Sequence, residues 1–114
     1  MTSRDLSCYA SITIMLELRP TCEHCNVVLA PDAAAARICS FECTFCSGCA
    51  EGPLQGVCPN CGGGFVPRPV RPAQNLKGDN WLGKYPAGTV VRHRPVDLAA
   101  HAAFVATLRR RPES

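Results

Sequence analysis

Eight cysteines, Cys22, Cys25, Cys39, Cys43, Cys46, Cys49, Cys58 and Cys61, are the residues of this sequence best placed to do chemistry. The gaps between them are two, thirteen, three, two, two, eight and two residues. A Cys-x-x-Cys pair sits on a tight turn whose backbone amides can point at the sulfurs, so both thiolates reach one tetrahedral ion at about 2.3 Å. One such pair is weak support for a metal site. Cys22/Cys25, the overlapping run Cys43/Cys46/Cys49, and Cys58/Cys61 repeat the unit closely enough to make the signal strong. Eight thiolates form two sets of four, so the expectation is two structural Zn²⁺ ions. A catalytic zinc keeps an open coordination position, and eight ligands for two ions leave none. Glu42 and Glu51 have no partner carboxylate at a working distance for general acid–base chemistry. The chain is therefore expected not to be an enzyme, and no small-molecule substrate is evident.

Other uses of cysteine fit this sequence less well than zinc. Disulfides need an oxidising compartment, and the N-terminus, MTSRDLSCYASITIMLELRP, makes a poor signal peptide because its apolar patch is short and closed by Glu17 and Arg19. The expected location is cytoplasmic, where thiols stay reduced. Thioredoxin-type redox chemistry wants one Cys-x-x-Cys opening a helix in a βαβ unit, whereas here several pairs lie among Gly and Pro. Iron–sulfur ferredoxin runs have a different spacing. Two pairings of the eight ligands remain open on spacing alone. One is sequential, with Cys22, Cys25, Cys39 and Cys43 on one ion and the remaining four on the other. The other is interleaved, with Cys22/Cys25/Cys46/Cys49 and Cys39/Cys43/Cys58/Cys61.

The elements that position these ligands must be slight. The chain has 114 residues, nine of them cysteine, with 6% aromatics and nineteen Gly plus Pro. So thin a core is marginal by itself, and structural zinc, on the order of 10 kcal/mol per site, would make up the difference. There is no room for a Rossmann or barrel enzyme, and no run of about eighteen apolar residues that would span a membrane. Phe41, Phe45, Leu54, Val57 and Phe65 are expected to cover the metal sites. Met15 reads as a natural start, which makes residues 1–14, with the unpartnered Cys8, a disordered leader extension. The zinc-binding module is expected over residues 15–66, a proline-rich linker and loop over 67–96, and a C-terminal helix over 97–111.

The string CTFCSGC from Cys43 followed by VCPNCG from Val57 resembles the second half of a RING finger, with Cys43 where that family usually has histidine. The resemblance implies a RING-like or treble-clef double zinc finger of α+β class, and a cross-brace that favours the interleaved pairing. The chain departs from RING ubiquitin ligases between Cys49 and Cys58. Their docking helix would fall on AEGPLQGV, which is too short and too broken by Gly and Pro. A closer resemblance, carried by MLELRPTCEHC, ARICSFECTFCSGCA, GVCPNCGG and the Arg/Pro-rich exit, is to small bacterial zinc-finger proteins designated only as domain of unknown function 1272. It spans about Met15 to Tyr85 and implies zinc binding and little more.

Charge divides the chain. Residues 1–67 hold three basic residues against six acidic, and residues 68–114 hold nine against three. Thiolates make the first part more acidic still, so a basic arm follows an acidic module and can fold back on it. Asp97 is the expected N-cap of a helix whose apolar positions are Leu98, Ala102, Val105 and Leu108. His24, His93 and His101 are expected to be solvated or to point away. Two functions of different class follow. The first is a protein-interaction adaptor whose partner is another protein. The alternative is nucleic-acid binding through Arg68, Arg71, Arg92, Arg94, Arg109, Arg110 and Arg111, helped by Trp81 and Tyr85.

Overall fold

The structure, a computed structural model, describes residues 15–109, so the expected leader with Cys8, and also Arg110 and Arg111, lie outside the described residues. Among the described residues three short strands and two helices follow in chain order: β1 (Ala36–Ile38), β2 (Thr44–Cys46), α1 (Ser47–Glu51), β3 (Val66–Pro67) and α2 (Leu98–Arg109). The strands form one antiparallel sheet in the order β2–β1–β3. Along β1 the side chains of Ala36 and Ile38 are buried while Arg37 between them is not, the period-two pattern of a strand with one covered face. Among the described residues no helix is long and apolar enough to cross a membrane.

The β1–β2 hairpin turns at Cys39–Cys43, where Cys39 N donates to Cys43 O (3.2 Å) and Glu42 takes a positive φ of 66°. Directly after β2, Cys46 caps α1, its sulfur accepting from Cys49 N at 3.4 Å. Gly52 then closes the helix by donating to Gly48 O (3.0 Å), and Pro53 stops further turns. The segment between Cys49 and Cys58 thus contributes only the end of a five-residue helix, as its Gly and Pro content predicts.

The core is unusual in its chemistry. Half of its buried residues are cysteines (Cys22, Cys39, Cys43, Cys49 and Cys58), joined by Leu29, Ala36, Phe45, Ala50 and Leu54. Buried thiols pack as small hydrophobes. Phe65 meets Phe45 edge to face, with ring centroids 5.5 Å apart. Val57 is half-buried, but Phe41, expected in this cluster, is 71% exposed. Its backbone N–H turns inward to the Cys39 sulfur (3.3 Å), which leaves the side chain at the tip of the hairpin.

Two buried charged groups tie the chain together. Arg68, in the expected proline-rich linker and among the arginines of the nucleic-acid alternative, is 4% exposed. Its guanidinium donates to Arg19 O (2.9 Å) and Ala30 O (3.0 Å), and its backbone N–H donates to Ala36 O. Pro67 lacks an N–H but sits in a short edge strand, where proline is tolerated. The Pro67–Pro72 segment is therefore docked rather than free. Glu23, inside the first Cys-x-x-Cys, is 2% exposed and accepts from Arg19 (2.6 Å) and from Thr44 N (2.8 Å).

The basic arm folds back on the module. Gly88 N donates to Leu18 O, and Arg71 donates to Tyr85 O and Leu16 O at 2.7 Å each, which closes the Gln74–Gly88 loop against the N-terminal strap. Asp97 caps α2 through Ala100 N (3.1 Å). The buried face of α2 is His101 and Val105 with half-buried Leu108, while Leu98 and Ala102 of the expected apolar stripe are exposed. The helix is turned because His101 finds a buried acceptor, Leu54 O, at 2.8 Å.

Two substitutions test these anchors in urea unfolding of the metal-loaded protein. Arg68→Ala is expected to cost about 1.5–3 kcal/mol, because two carbonyls lose a charged donor. Glu23→Ala is expected to cost about 1–3 kcal/mol, because it strands the buried Thr44 amide and leaves the half-buried Arg19 guanidinium with Glu17 as its one carboxylate. Glu23→Gln, which keeps an acceptor for Thr44 N, should lose less.

Candidate metal centre

Residues Thr21–Val28 form a small antiparallel hairpin. Cys22 N donates to Val27 O and Asn26 N to Cys22 O, both at 2.9 Å, with Asn26 at a φ of 67°. This knuckle aims Cys22 and Cys25 at one spot, and Cys25 N donates to the Cys22 sulfur (3.5 Å). From the other side, the end of β2 and the first turn of α1 deliver Cys46 and Cys49. The four sulfurs all lie within 4.8 Å of one another. Four sulfurs at about 2.3 Å from one ion make a tetrahedron with edges near 3.8 Å, and the Cys25 and Cys46 sulfurs are 3.8 Å apart. The donor set and its spacing fit a tetrahedral, thiolate-bound metal ion.

A second knuckle repeats the design. Cys58 N donates to Gly63 O (2.8 Å) and Gly62 N to Cys58 O (2.9 Å), with Gly62 at a φ of 81°. Amides point at sulfur here too: Asn60 N at Cys58 and Gly63 N at Cys61, both 3.4 Å. The sulfurs of Cys39, Cys43 and Cys58 lie within 4.8 Å of one another. Cys61, expected as the fourth ligand, stands outside that triad on the exposed side of the same knuckle. Two cysteine groups able to hold metal ions are thus interleaved along the chain, and the sequential grouping of Cys22/Cys25 with Cys39/Cys43 is not the one the fold assembles.

The electrostatics of these groups oppose ionisation of all their thiols together. Burial pushes the Cys22 thiol up, but amides of Cys25, Cys46 and His24 outweigh it and leave its pKa below the ordinary value. Burial and the neighbouring Cys22 push Cys25 up, and burial, Cys46 and Cys22 do the same to Cys49. In the second group, burial with Cys39 raises Cys43, and burial with Cys39 and Cys43 raises Cys58. Each thiolate makes the next harder to form. A bound divalent ion would reverse this by stabilising all of them together.

The other candidate residues fall in several places. Arg68 is buried and Arg71 bonds backbone carbonyls, while Arg92 pairs with Glu17 at 2.7 Å. Burial pushes the Glu17 carboxyl up, but hydrogen bonds from Arg92 and Arg19 outweigh it and hold its pKa below the usual carboxylate range. Arg94 and Arg109 are exposed. The fold therefore brings no continuous arginine face together among the described residues. Each histidine bonds across the boundary of arm and module, but only the burial of His101 departs from expectation, since His93 is exposed and His24 belongs to neither cysteine group. His24 Nδ1 accepts from Val96 N (2.9 Å), His93 Nε2 meets His24 O (3.1 Å), and His101 is 4% exposed. Only the charge asymmetry of the chain hinted at such docking; no local pattern marked these residues.

The family described as Protein of unknown function (DUF1272) matches residues 15–71, which take in both cysteine groups. An uncharacterized protein of Rhizobium meliloti (strain 1021) is 55% identical over 89 residues, covering 78% of this chain and 99% of that protein. No solved structure matches. With the family's span covering every cysteine that the fold gathers into its core, the chain belongs to the DUF1272 family.

Proposed function

We propose that this chain is a two-zinc structural module of RING-like, treble-clef type that serves as a protein-interaction adaptor and has no catalytic role. The observation that carries the reading is the convergence of Cys22, Cys25, Cys46 and Cys49 from a knuckle and from the start of a helix that follows a hairpin. Borderline-soft Zn²⁺ with four thiolates is the usual occupant of such a closed site.

The adaptor reading is supported by what the cysteine loops present outward. Phe41 at the hairpin tip is 71% exposed, and Val28 on the first knuckle is 76% exposed. Apolar groups held on rigid loops lose little conformational entropy on binding, and aromatic anchors dominate interface energetics. Ubiquitin-ligase docking is not part of this reading, because α1 ends at Glu51. The nucleic-acid alternative is weakened by the engagement of Arg68, Arg71 and Arg92 within the fold.

Native mass spectrometry of the purified chain is expected to show two zinc ions, and a strong chelator should unfold residues 16–66. Retained structure after chelation, with the cysteines as disulfides, would overturn the module. Capture of a partner protein from host extract should persist with the metal-loaded chain and fail with Phe41→Asp at unchanged zinc content. Binding to a generic RNA or DNA oligomer that weakens steeply with salt would instead favour the basic arm.

A further inference from the structure

The two knuckles are similar inside and different outside. The first is bolted to its surroundings. Glu23 N donates to Thr44 O (2.9 Å), Thr44 N donates back to the Glu23 carboxylate (2.8 Å), and Arg94 N donates to Glu23 O (2.8 Å). Val96 N and the His93 ring then hold His24, at 2.9 and 3.1 Å. The second knuckle closes on itself through Cys58 N–Gly63 O and Gly62 N–Cys58 O. Its hydrogen bond outward among the described residues runs from Asn60 Nδ2 to the sulfur of Cys43, a ligand of the same group (3.4 Å). Beyond Cys61 come Gly62, Gly63 and Gly64, and a Cβ on Gly64 would meet nothing within 4 Å. Gly62 and Gly63 are held by the knuckle, and at Gly64 that restraint ends.

What lies over the second knuckle is α2. A Cβ on Gly62 would come within 3.1 Å of the Phe104 ring, so the ring lies directly against the knuckle backbone. Beside it is an open cleft of about 350 Å³ between Pro59 and Asn60 on one side and Arg94, His101 and Phe104 on the other. The cleft opens onto Pro59 and Asn60, the two residues between Cys58 and Cys61, and Cys61 itself is exposed.

On the reading of the chain as a two-zinc module, we propose that the two sites are unequal. Cys39/Cys43/Cys58/Cys61 is the exchangeable site, Cys61 is the ligand that leaves first, and Phe104 is its cover. The acceptor or donor is a thiol-bearing or chelating molecule. Its deprotonated sulfur would take the coordination position that Cys61 gives up. The released Cys61 thiolate takes up the proton that the incoming thiol gave to solvent, and no electrons move. The Cys22/Cys25/Cys46/Cys49 ion stays in place as the structural one.

The zinc-loaded full chain is challenged with a chelator and followed by time-resolved native mass spectrometry, with cysteine alkylation and peptide mapping at each stage. A one-zinc species should accumulate in which Cys39, Cys43, Cys58 and Cys61 are alkylated while Cys22, Cys25, Cys46 and Cys49 are protected. Phe104→Ala should speed loss of the first ion several-fold and leave the second unchanged. Cys61→Ser should yield a one-zinc protein with the same protected set. Simultaneous loss of both ions, or a one-zinc species protecting the second group, would overturn the unequal sites. An unchanged rate in Phe104→Ala would overturn the cover. A chain that takes up fewer than two ions contradicts the module reading itself, and the inference falls with it.

Discussion

Sulfur crowding is the constraint on which the rest of this structure depends. Sulfurs gathered within 4.8 Å of one another cannot all ionise unaided, as the opposed shifts of Cys22 and Cys49 indicate. They are also too many to be incidental, since they make up half of the buried cluster. A chain with so little aliphatic and aromatic volume has exchanged a conventional core for one organised around coordination. The short elements follow from that choice. Strands of two or three residues and a five-residue helix have little intrinsic stability, and their work is to present sulfur and amide at fixed angles.

Amide-to-sulfur hydrogen bonds recur at every turn of the module, on Cys22, Cys39, Cys46, Cys58 and Cys61. They are the local reason that the same short motif works three times in different contexts, at Cys22/Cys25, Cys46/Cys49 and Cys58/Cys61. Positive φ values at Asn26, Glu42 and Gly62 let the chain reverse tightly enough to aim those amides. At Glu42 the turn serves a second purpose, since its carboxylate accepts from Glu17 N (2.9 Å) and ties the N-terminal strap to the hairpin.

The basic arm is the counterpart of the acidic module. Arg68, Arg71 and Arg92 each reach back across the chain to a carbonyl or carboxylate near its start. Guanidinium suits this role because one group can serve two acceptors in a plane, as Arg68 does for Arg19 O and Ala30 O. The arm thereby covers parts of both knuckles, with Val96 at the first and Phe104 at the second. An arm that looked available for solvent or polyanions is in large part a structural strap.

Spacing alone determined the ligand types, the knuckle turns and the weakness of any helix after Cys49, because each depends on residues within a few positions of one another. The cap at Asp97 and the helix after it were readable for the same reason. The pairing of the ligands was open on spacing and was decided by the β1–β2 hairpin, which carries Cys39 and Cys43 to the second knuckle and Cys46 to the first. Burial of Glu23, Arg68 and His101 was likewise decided only in three dimensions. A charged or polar side chain enters a core when distant groups supply its partners, here Thr44, Arg19, Ala30 and Leu54, and no local pattern encodes where those partners will lie. Phe41 shows the converse: its composition suggested the core, but the geometry of a sulfur-directed turn placed it in solvent.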